Sequence, residues 1–345
     1  MRKQRLILAA LGILLPASMV MATGFGALAI SPGQIGEILL EKMGWAAPSS
    51  GGRIAQVWWM IRLPRVLMAV GIGAALGLSG AAMQGLFRNP LADPSIIGIS
   101  AGAALASSVV IVFGSALVSF SAHFGGVAAL SIASFTGAVG ATLLIFRLGR
   151  VNGKTQVSTL LLAGIAINAL AGAFTGLMTF LASETQLRSL TFWTLGSVAG
   201  ANWFQVGAMT LSLAIALPFL LSQARAFDAL SLGEREASHL GIDTERTKTL
   251  VIFLTALLVG VAVAFCGIIG FVGLVAPHIM RIWGGPRHRF LLPGSALSGA
   301  LLVLWADTLA RTIAIPAEVP IGVITALIGA PVFLFLLFQQ KQTLS

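Results

Sequence analysis

Few side chains in this chain could carry acid–base, nucleophilic or metal chemistry. The single cysteine, Cys266, lies inside an apolar run, so no intrachain disulfide can form and we expect a small buried side chain. No two histidines have metal-ligand spacing such as HExxH. The histidines belong instead to four separate segments: His123, His239, His278 and His288. The sequence therefore contains no recognisable catalytic or metal site, and we do not expect an enzyme.

A phosphate-binding loop is the nearest approach to a nucleotide site, and its spacing argues against it. Residues 149–155, GRVNGKT, have three positions between the glycines where the P-loop motif has four, and no soluble strand–helix context surrounds them. We interpret them as a basic turn. We therefore expect no ATP, Mg²⁺ or other cofactor on this chain, and any ATPase that serves it must be a separate polypeptide.

The composition indicates that lipid, rather than water, is the solvent of most of the chain. Hydrophobic residues make up 57%, charged residues only 9%, and the mean hydropathy is +0.97, whereas a soluble domain averages about 25% charged residues. The net charge of +10 could suggest nucleic acid, but the basic residues are spread over loops. The positive-inside rule explains them better, so we expect no nucleic-acid partner.

Charge-free apolar runs predict about ten transmembrane helices, because a span requires about 20 apolar residues. The first run resembles a secretory signal ending in a cleavage-like Ala27-Leu28-Ala29, but it exceeds a signal core of about 7–15 residues, so we expect a retained span. Window 249–280 is too short for two full spans, so one of its helices must be short or broken. The predicted spans are 6–28, 64–84, 94–113, 125–146, 157–181, 204–222, 249–266, a short helix at 270–282, 291–310 and 320–338.

The topology follows from the loop charges. A cytoplasmic N-terminus with ten spans places most of the 21 Lys and Arg residues in cytoplasmic loops, and it places the C-terminus in the cytoplasm as well.

Gly73 and Gly77 form a small-xxx-small pair that predicts close helix packing. Asp307 and Arg311, also four apart, can pair on one helix face.

Two polar segments interrupt the apolar pattern. Residues 223–248 are rich in charge and predict short surface helices broken at Gly233 and Gly241, forming either a solvated loop or a docking surface for a cytoplasmic partner. Residues 184–203 form an amphipathic, aromatic-rich connector that we expect at the outer interface. Asn168, inside a span, is either a link between helices or a residue of a transport path.

Two long stretches carry a family resemblance. RLPRVLMAVGIGAALGLSGAAMQGLFRNPLADPSIIGISAGA (62–103) and GFVGLVAPHIMRIWGGPRHRFLLPGSALSGALLVLWADTLAR (270–311) resemble the FecCD/BtuC-type permeases, the membrane subunits of bacterial importers for ferric siderophores, haem and vitamin B12. The resemblance implies an all-α polytopic membrane protein with the type II ABC importer permease fold, as one domain over 1–345. It also implies a homodimer in the bacterial inner membrane, served by two ATPase subunits and a substrate-binding protein.

The resemblance assigns roles to the two ends of the permease. By the family pattern, Arg62, Arg65 and Arg311 lie on the outer face and bind glutamates of the binding protein, which suits guanidinium–carboxylate geometry. Residues 236–241 resemble the EA-xxx-G motif that docks the ATPase, within coupling helices at about 223–248. The coupling residues are Glu236, Ala237, Leu240 and Gly241, and the start of span five aligns with the cytoplasmic gate at Gln156, Val157 and Ser158.

The cargo rests on a shorter resemblance. The connector QLRSLTFWTLGSVAG looks most like the haem-importing branch, in which Arg188 would face the outer vestibule and meet haem propionates. Arg188 could equally be a structural arginine, and a ferric siderophore or cobalamin suits the same apolar path. A secondary transporter and a membrane-embedded enzyme are the other hypotheses, but the spans lack paired acids and clustered ligands.

Overall fold

A computed structural model of the chain describes the residues 2–26, 28, 30–45, 52–114 and 126–344, and for 126, 127 and 335–344 it describes the backbone alone. Ala27 and Ala29 of the cleavage-like sequence, and His123, lie outside the described residues. Besides helices, the described part contains a 3₁₀ turn and one hairpin of two short strands. These are Pro94–Ile97 and the antiparallel pair β1 (Arg150–Val151) and β2 (Lys154–Thr155).

Fourteen α-helices occupy the described residues. They are α1 (Arg2–Gly24), α2 (Pro32–Lys42), α3 (Gly52–Phe87), α4 (Ile99–Phe113), α5 (Gly126–Leu148), α6 (Val157–Leu181), α7 (Glu184–Leu195), α8 (Trp203–Ser222), α9 (Ala224–Leu230), α10 (Glu234–His239), α11 (Thr244–Cys266), α12 (Val272–Gly284), α13 (His288–Ala310) and α14 (Ile321–Leu344). A π-helical stretch, Trp58–Arg62, lies within α3.

Ten of the described helices account for the ten predicted spans. Seven are long and apolar enough to cross a membrane: α1, α3, α5, α6, α8, α11 and α13. Helices α4 and α14 are shorter apolar helices, and α12 has 13 residues. The all-α polytopic fold predicted from the sequence is confirmed.

Several spans begin earlier than predicted, and the structure gives the reason for two of them. Helix α3 starts at residue 52 rather than 64, because the π-helical stretch continues the helix through Trp58 and Arg62 instead of breaking it. Helix α11 starts at Thr244 rather than 249, because the side chain of Asp243 accepts a hydrogen bond from the backbone N–H of Arg246 at 3.0 Å and caps the helix.

The chain turns back inside the bundle between α11 and α12. Gly267 and Phe271 have positive φ values of +69° and +67°, which end one helix and start the next. The backbone here is bonded to the protein rather than left bare, since Ser197 N donates to Cys266 O at 2.8 Å. Irregular backbone at membrane depth is tolerated only where protein shields it. The broken hairpin predicted for 249–280 is confirmed.

Helices α3 and α13 approach each other closely enough for their backbones to touch. A Cβ atom at Gly73 would collide with the carbonyl group of Gly299, and one at Gly77 with the carbonyl group of Ser295. Of the most apolar window of α3, 83% is buried inside the protein. Small residues permit this approach, which holds helices together where lipid provides no hydrophobic drive. The packing role predicted for Gly73 and Gly77 is confirmed.

Side-chain contacts divide the bundle into two ends. At the first, Gln4 Nε2 donates to Gly284 O at 2.6 Å, and at the second, Trp203 Nε1 donates to Trp59 O at 3.2 Å. The loops predicted to share one side of the membrane do share one end. We call residues 2–5, 88–93, 149–156, 223–248 and 284–288 the N-terminal end, and residues 22–26, 58–65, 183–203 and 307–320 the opposite end.

The contact between α3 and α13 predicts opposite results for two glycine substitutions. Gly77→Ala should lower the thermal unfolding temperature of the purified protein, because the new methyl group meets backbone, at a cost on the order of 1–3 kcal/mol. Gly140→Ala in α5 is the matched control, because nothing lies within 4 Å of its added Cβ. It should leave the unfolding temperature unchanged or raised. Equal effects at both positions would contradict the packing described.

Candidate functional site

Arg65 is the centre of a buried ion cluster at the opposite end. Its Nε and Nη2 atoms donate to Asp307 Oδ1 at 3.0 and 2.8 Å, and its Nη1 and Nη2 atoms donate to the two carboxylate oxygens of Glu318 at 2.8 and 3.0 Å. Asp307 is only 1% exposed, whereas the side chain of Glu318 is 43% exposed. A guanidinium held by two carboxylates in this forked geometry is strongly bonded. It ties α3 to α13 and to the loop before α14.

The other two predicted docking arginines flank this cluster. Arg62 Nη2 donates to Leu28 O at 3.0 Å. Arg311 Nη2 donates to Ala22 O at 2.5 Å, and its Nε lies 3.7 Å from Asp307 Oδ2. The predicted contact between Asp307 and Arg311 is therefore present, although the closer partner of Asp307 is on α3. Both arginines are buried, and the Nη1 atom of each has no partner among the described residues.

The structure thus brings the three arginines together but encloses them. Glu318 is the exposed member of the cluster, and the hydrogen bonds from Arg65 lower the pKa of its carboxyl group below the ordinary value. A carboxylate from outside would have to displace part of this cluster to reach the unpaired Nη1 atoms. Binding to a partner is not visible in a single chain, so the docking role of Arg62, Arg65 and Arg311 stays a prediction.

The charge-rich segment 223–248 folds as two short helices, α9 and α10, followed by the first turn of α11. The breaks between them lie at the predicted glycines, but five of the seven residues of α9 are buried, so α10 alone of the two is a surface helix. Gly233, with φ of +134°, separates them. Gly241, with φ of +80°, ends α10 in a conformation that favours glycine. The two helices are joined by a small apolar cluster of Ala229, Leu230, Ala237 and Ile242.

The predicted coupling residues differ in exposure. Ala237 is fully buried at 0%, so its part is to hold the two helices together. Leu232 and Leu240, which lie just before and just after α10, are 68% and 64% exposed, and Glu236 and Gly241 are also exposed. Two exposed leucines at the ends of a helix that carries an exposed carboxylate form a surface suited to a protein partner.

Lys248 joins this segment to the start of α6. Its Nζ atom donates to Glu234 at 2.7 Å, Glu245 at 3.0 Å and the backbone oxygen of Thr155 at 2.8 Å. The other carboxylate oxygen of Glu245 accepts from Thr155 N at 2.7 Å. Lys248 is 2% exposed, so its charge is buried and held by these partners. The cluster connects α10, α11 and the β1–β2 hairpin, which is the basic turn predicted for 149–155.

The predicted gate residues begin α6 directly after that hairpin. Gln156 precedes the first turn, with Val157 and Ser158 following, and Gln156 and Ser158 are exposed. Asn168 lies further along α6, where its Nδ2 atom donates to Ser95 O at 3.2 Å. That bond supports the first of its two predicted roles, a link between helices. The gate role stays a prediction.

Arg188 lies on α7 at the opposite end, as the connector prediction requires. Its side chain is exposed, and no hydrogen bond or ion pair with a described residue is present. Phe192, one helical turn further, is 54% exposed, so a cation and an aromatic ring share one face of the helix. Trp203 and Phe204, at the start of α8, are 36% and 78% exposed.

Two residues of these clusters were missed by reading the sequence. Glu318 lies in the short loop before α14, and Lys248 sits at the edge of a long apolar run. The sequence contains one indication of the role of Lys248, which is its position next to that apolar run. A lysine that is buried there requires carboxylate partners. Among the described residues, no three His, Cys, Asp or Glu side chains converge as metal ligands would.

Comparison with known proteins places this arrangement in a family. The sequence profile of the FecCD transport family matches residues 14–339. The chain belongs to this family. The hemin transport system permease protein HmuU of Yersinia pestis is 43% identical over 318 residues, covering 91% of this chain and 93% of that protein. The cobalamin import system permease protein BtuC of Halobacterium salinarum is 42% identical over 281 residues, covering 81% of this chain and 73% of that protein.

A solved structure shows the same fold. It is a metal-chelate type ABC transporter in an inward-facing conformation, which aligns with a TM-score of 0.83 and 34% identity over 96% of this chain and 99% of that chain. The type II permease fold expected from the sequence is confirmed. The chain is therefore an ABC importer permease, which acts with ATPase and binding-protein partners.

The cluster around Arg65 predicts a pH-dependent stability difference. Because the pKa of Glu318 is lowered in the folded protein, its contribution is present above the ordinary value of 4.5 and is lost as the pH falls through the folded value. Glu318→Gln should lower the free energy of unfolding at neutral pH by about 0.5–1 kcal/mol for this partly exposed pair, and the unfolding temperature with it. The deficit should shrink as the pH falls below 4.5. Glu37→Gln, on the exposed face of α2, is the control, and a pH-independent deficit would contradict the ion pair.

The cluster around Lys248 predicts a coupled loss of stability. Lys248→Met should destabilise the protein by about 1–3 kcal/mol, towards the lower end because both carboxylates are partly exposed. In a double-mutant cycle, adding Glu245→Gln should cost less than it does alone, since the bond between them is already gone. Lys154→Met, an exposed neighbour in the hairpin, should have little effect. Additive losses would show that the two residues do not act together.

Proposed function

We propose that this chain is the permease subunit of an ATP-driven importer that moves haem from a binding protein outside the membrane into the cytoplasm. The observation that carries the choice of cargo is the exposed, unpaired Arg188 beside Phe192 on α7. Haem combines a flat aromatic ring system with carboxylates, and this face offers an aromatic surface and a cation. The similarity to HmuU over nearly its whole length supports the same cargo.

The partners proposed for the chain are those that the family resemblance implies. Two copies form a homodimer with the path along its axis, which suits the exposed apolar face of α6 that includes Leu162, Ile165 and Phe180. The exposed leucines 232 and 240 meet an ATPase subunit at each copy. The arginines 62, 65 and 311 meet a substrate-binding protein at the opposite end.

The Lys248 cluster gives this assembly a route for coupling. An ATPase that shifts α10 also pulls on Glu234, whose carboxylate is bonded to Lys248. Lys248 passes the shift to Thr155, which directly precedes the gate residues at the start of α6. Only 17% of the most apolar window of α6 is buried within its own chain, against 83% for α3, so fewer contacts inside the chain oppose a shift of α6.

The location follows from the charges. The N-terminal end carries most of the basic residues and faces the cytoplasm of a bacterium, across its inner membrane, with both termini on that side. One domain, 1–345, performs the transport, and the chain itself is not an enzyme. ATP and Mg²⁺ bind the separate ATPase.

A ferric siderophore or cobalamin remains the alternative cargo. The cobalamin permease of Halobacterium salinarum is 42% identical to this chain, close to the 43% of HmuU. The choice therefore depends on the α7 surface rather than on overall similarity.

Uptake by proteoliposomes tests the proposal. The permease, reconstituted with its ATPase and binding protein, should accumulate hemin only with ATP, and cobalamin and a ferric siderophore should stay near background. Arg188→Gln should slow hemin uptake about ten-fold, the effect of losing one charge-assisted hydrogen bond.

Arg53→Gln provides a matched control, because Arg53 is exposed near the start of α3. It should leave hemin uptake unchanged. Cobalamin uptake without hemin uptake would overturn the proposed cargo, and uptake that does not require ATP would overturn the importer mechanism.

A further inference from the structure

A polar cavity lies at the N-terminal end, and its lining shares no residue with the Lys248 cluster or the gate. A cavity of about 530 Å³ opens between the end of α3, the helix α9 and the loop that joins α12 to α13. The residues on its lining that bear on its chemistry are Gln84, Arg88, Asp228, Arg281, Arg287 and His288. One wall of the cavity belongs to segment 223–248, which the proposed function assigns to ATPase docking, but neither the family resemblance nor the proposed transport cycle gives the cavity a ligand.

The cavity carries more positive charge than the chain neutralises. The side chains of Arg88, Arg281 and Arg287 make no hydrogen bond or ion pair with any described residue. Asp228 is the one carboxylate on the lining, and its Oδ1 atom is occupied by His288, at 3.0 Å from the backbone N and 2.7 Å from Nδ1. Three guanidinium groups therefore face one recess with a single, already bonded, carboxylate.

One buried donor of the lining also lacks a partner, Arg281 Nη1. His288 is 7% exposed and donates from Nδ1 to Asp228, so its Nε2 atom is an acceptor in the neutral ring. Buried donors are almost always bonded to protein, to water or to an ion. An anion in the cavity would bond the guanidinium of Arg281 and offset the repulsion between the arginines.

The position of the cavity indicates which anion. It lies where α3 and α12 end and α13 begins, and the ends of spanning helices are where a membrane protein meets lipid headgroups. Beside Arg281, Ile282 and Trp283 are 61% and 48% exposed, the pattern of an apolar and aromatic anchor at the membrane interface. Guanidinium forks match phosphate oxygens, and basic pockets between spans are typical headgroup sites. We propose that this cavity binds a phosphate group, supplied by the headgroup of an anionic phospholipid.

Native mass spectrometry of the full-length permease in detergent tests this site. With phosphatidylglycerol added, the wild-type chain should retain bound lipid, whereas phosphatidylcholine should be retained far less. The variant Arg88→Gln/Arg281→Gln/Arg287→Gln should lose phosphatidylglycerol occupancy about ten-fold or more. The variant Arg147→Gln/Arg225→Gln/Arg235→Gln removes the same charge from exposed positions at the same end, and it should keep the lipid.

Added inorganic phosphate separates the two sources of the phosphate group. If millimolar phosphate displaces the lipid from the wild-type chain and from the control variant, the result would support a phosphate site that free phosphate also fills. Equal lipid occupancy in the cavity variant and the wild type would overturn the proposal. Loss of the lipid when the ATPase subunit is added in lipid-containing detergent would also overturn it, since an acidic side chain of the ATPase would then be the occupant.

Two measurements guard against a variant that fails to fold. Arg88→Gln alone changes an exposed side chain and should still weaken lipid retention measurably. A photoreactive phosphatidylglycerol should cross-link the wild-type chain within residues 84–90 or 281–288. Cross-links confined to other segments would contradict the site.

Discussion

The close contact of α3 with α13 is the constraint on which the rest of the structure depends. In lipid, helices gain little from burying apolar surface against each other, so they must gain from packing. At Gly73 and Gly77 that packing brings backbone against backbone, with no room for even one methyl group. A side chain at either position would separate the two helices along their whole length.

Both ends of the molecule depend on this contact, because the two helices carry the residues that form them. At the opposite end, Arg65 of α3 reaches Asp307 of α13. At the N-terminal end, the same two helices contribute Arg88 and His288 to one cavity. Their fixed spacing keeps each pair within reach. Helix α6 is different, since little of it is buried within its own chain and the hairpin before it is attached to segment 223–248 through Lys248. The structure thus combines a tightly packed centre with a helix whose start is linked to the proposed ATPase-docking segment.

Much of this could be read from the sequence, and the reason is the membrane itself. Lipid requires long apolar runs and confines charge to loops, so the spans, the broken hairpin at 249–280 and the turn at 149–155 followed from composition alone. The small residues at positions 73 and 77 also pointed to close packing. The resemblance to a family added the fold and its partners.

The side-chain clusters could not be read in the same way. Asp307 had an evident partner four residues away in Arg311, but the closer one, Arg65, is 242 positions distant in the sequence. Lys248 looked like one of many charges in a polar segment, and only the fold shows it buried among Glu234, Glu245 and Thr155. Pairings across long sequence separations depend on how helices pack, which one sequence does not specify.

The central claim is that α3 and α13 form a fixed frame while the start of α6 moves with the ATPase. Electron–electron distance measurements test it most directly, in dimers diluted with unlabelled subunits and with Cys266 replaced by alanine. Spin labels at Met60 and Leu309 report on the frame, and labels at Ser158 and Arg289 report on α6 relative to α13; all four side chains are exposed. Between the nucleotide-free and ATP-trapped states, the account predicts a changed distance from 158 to 289 and an unchanged distance from 60 to 309. An unchanged distance from 158 to 289, or an equal shift in both pairs, would contradict it.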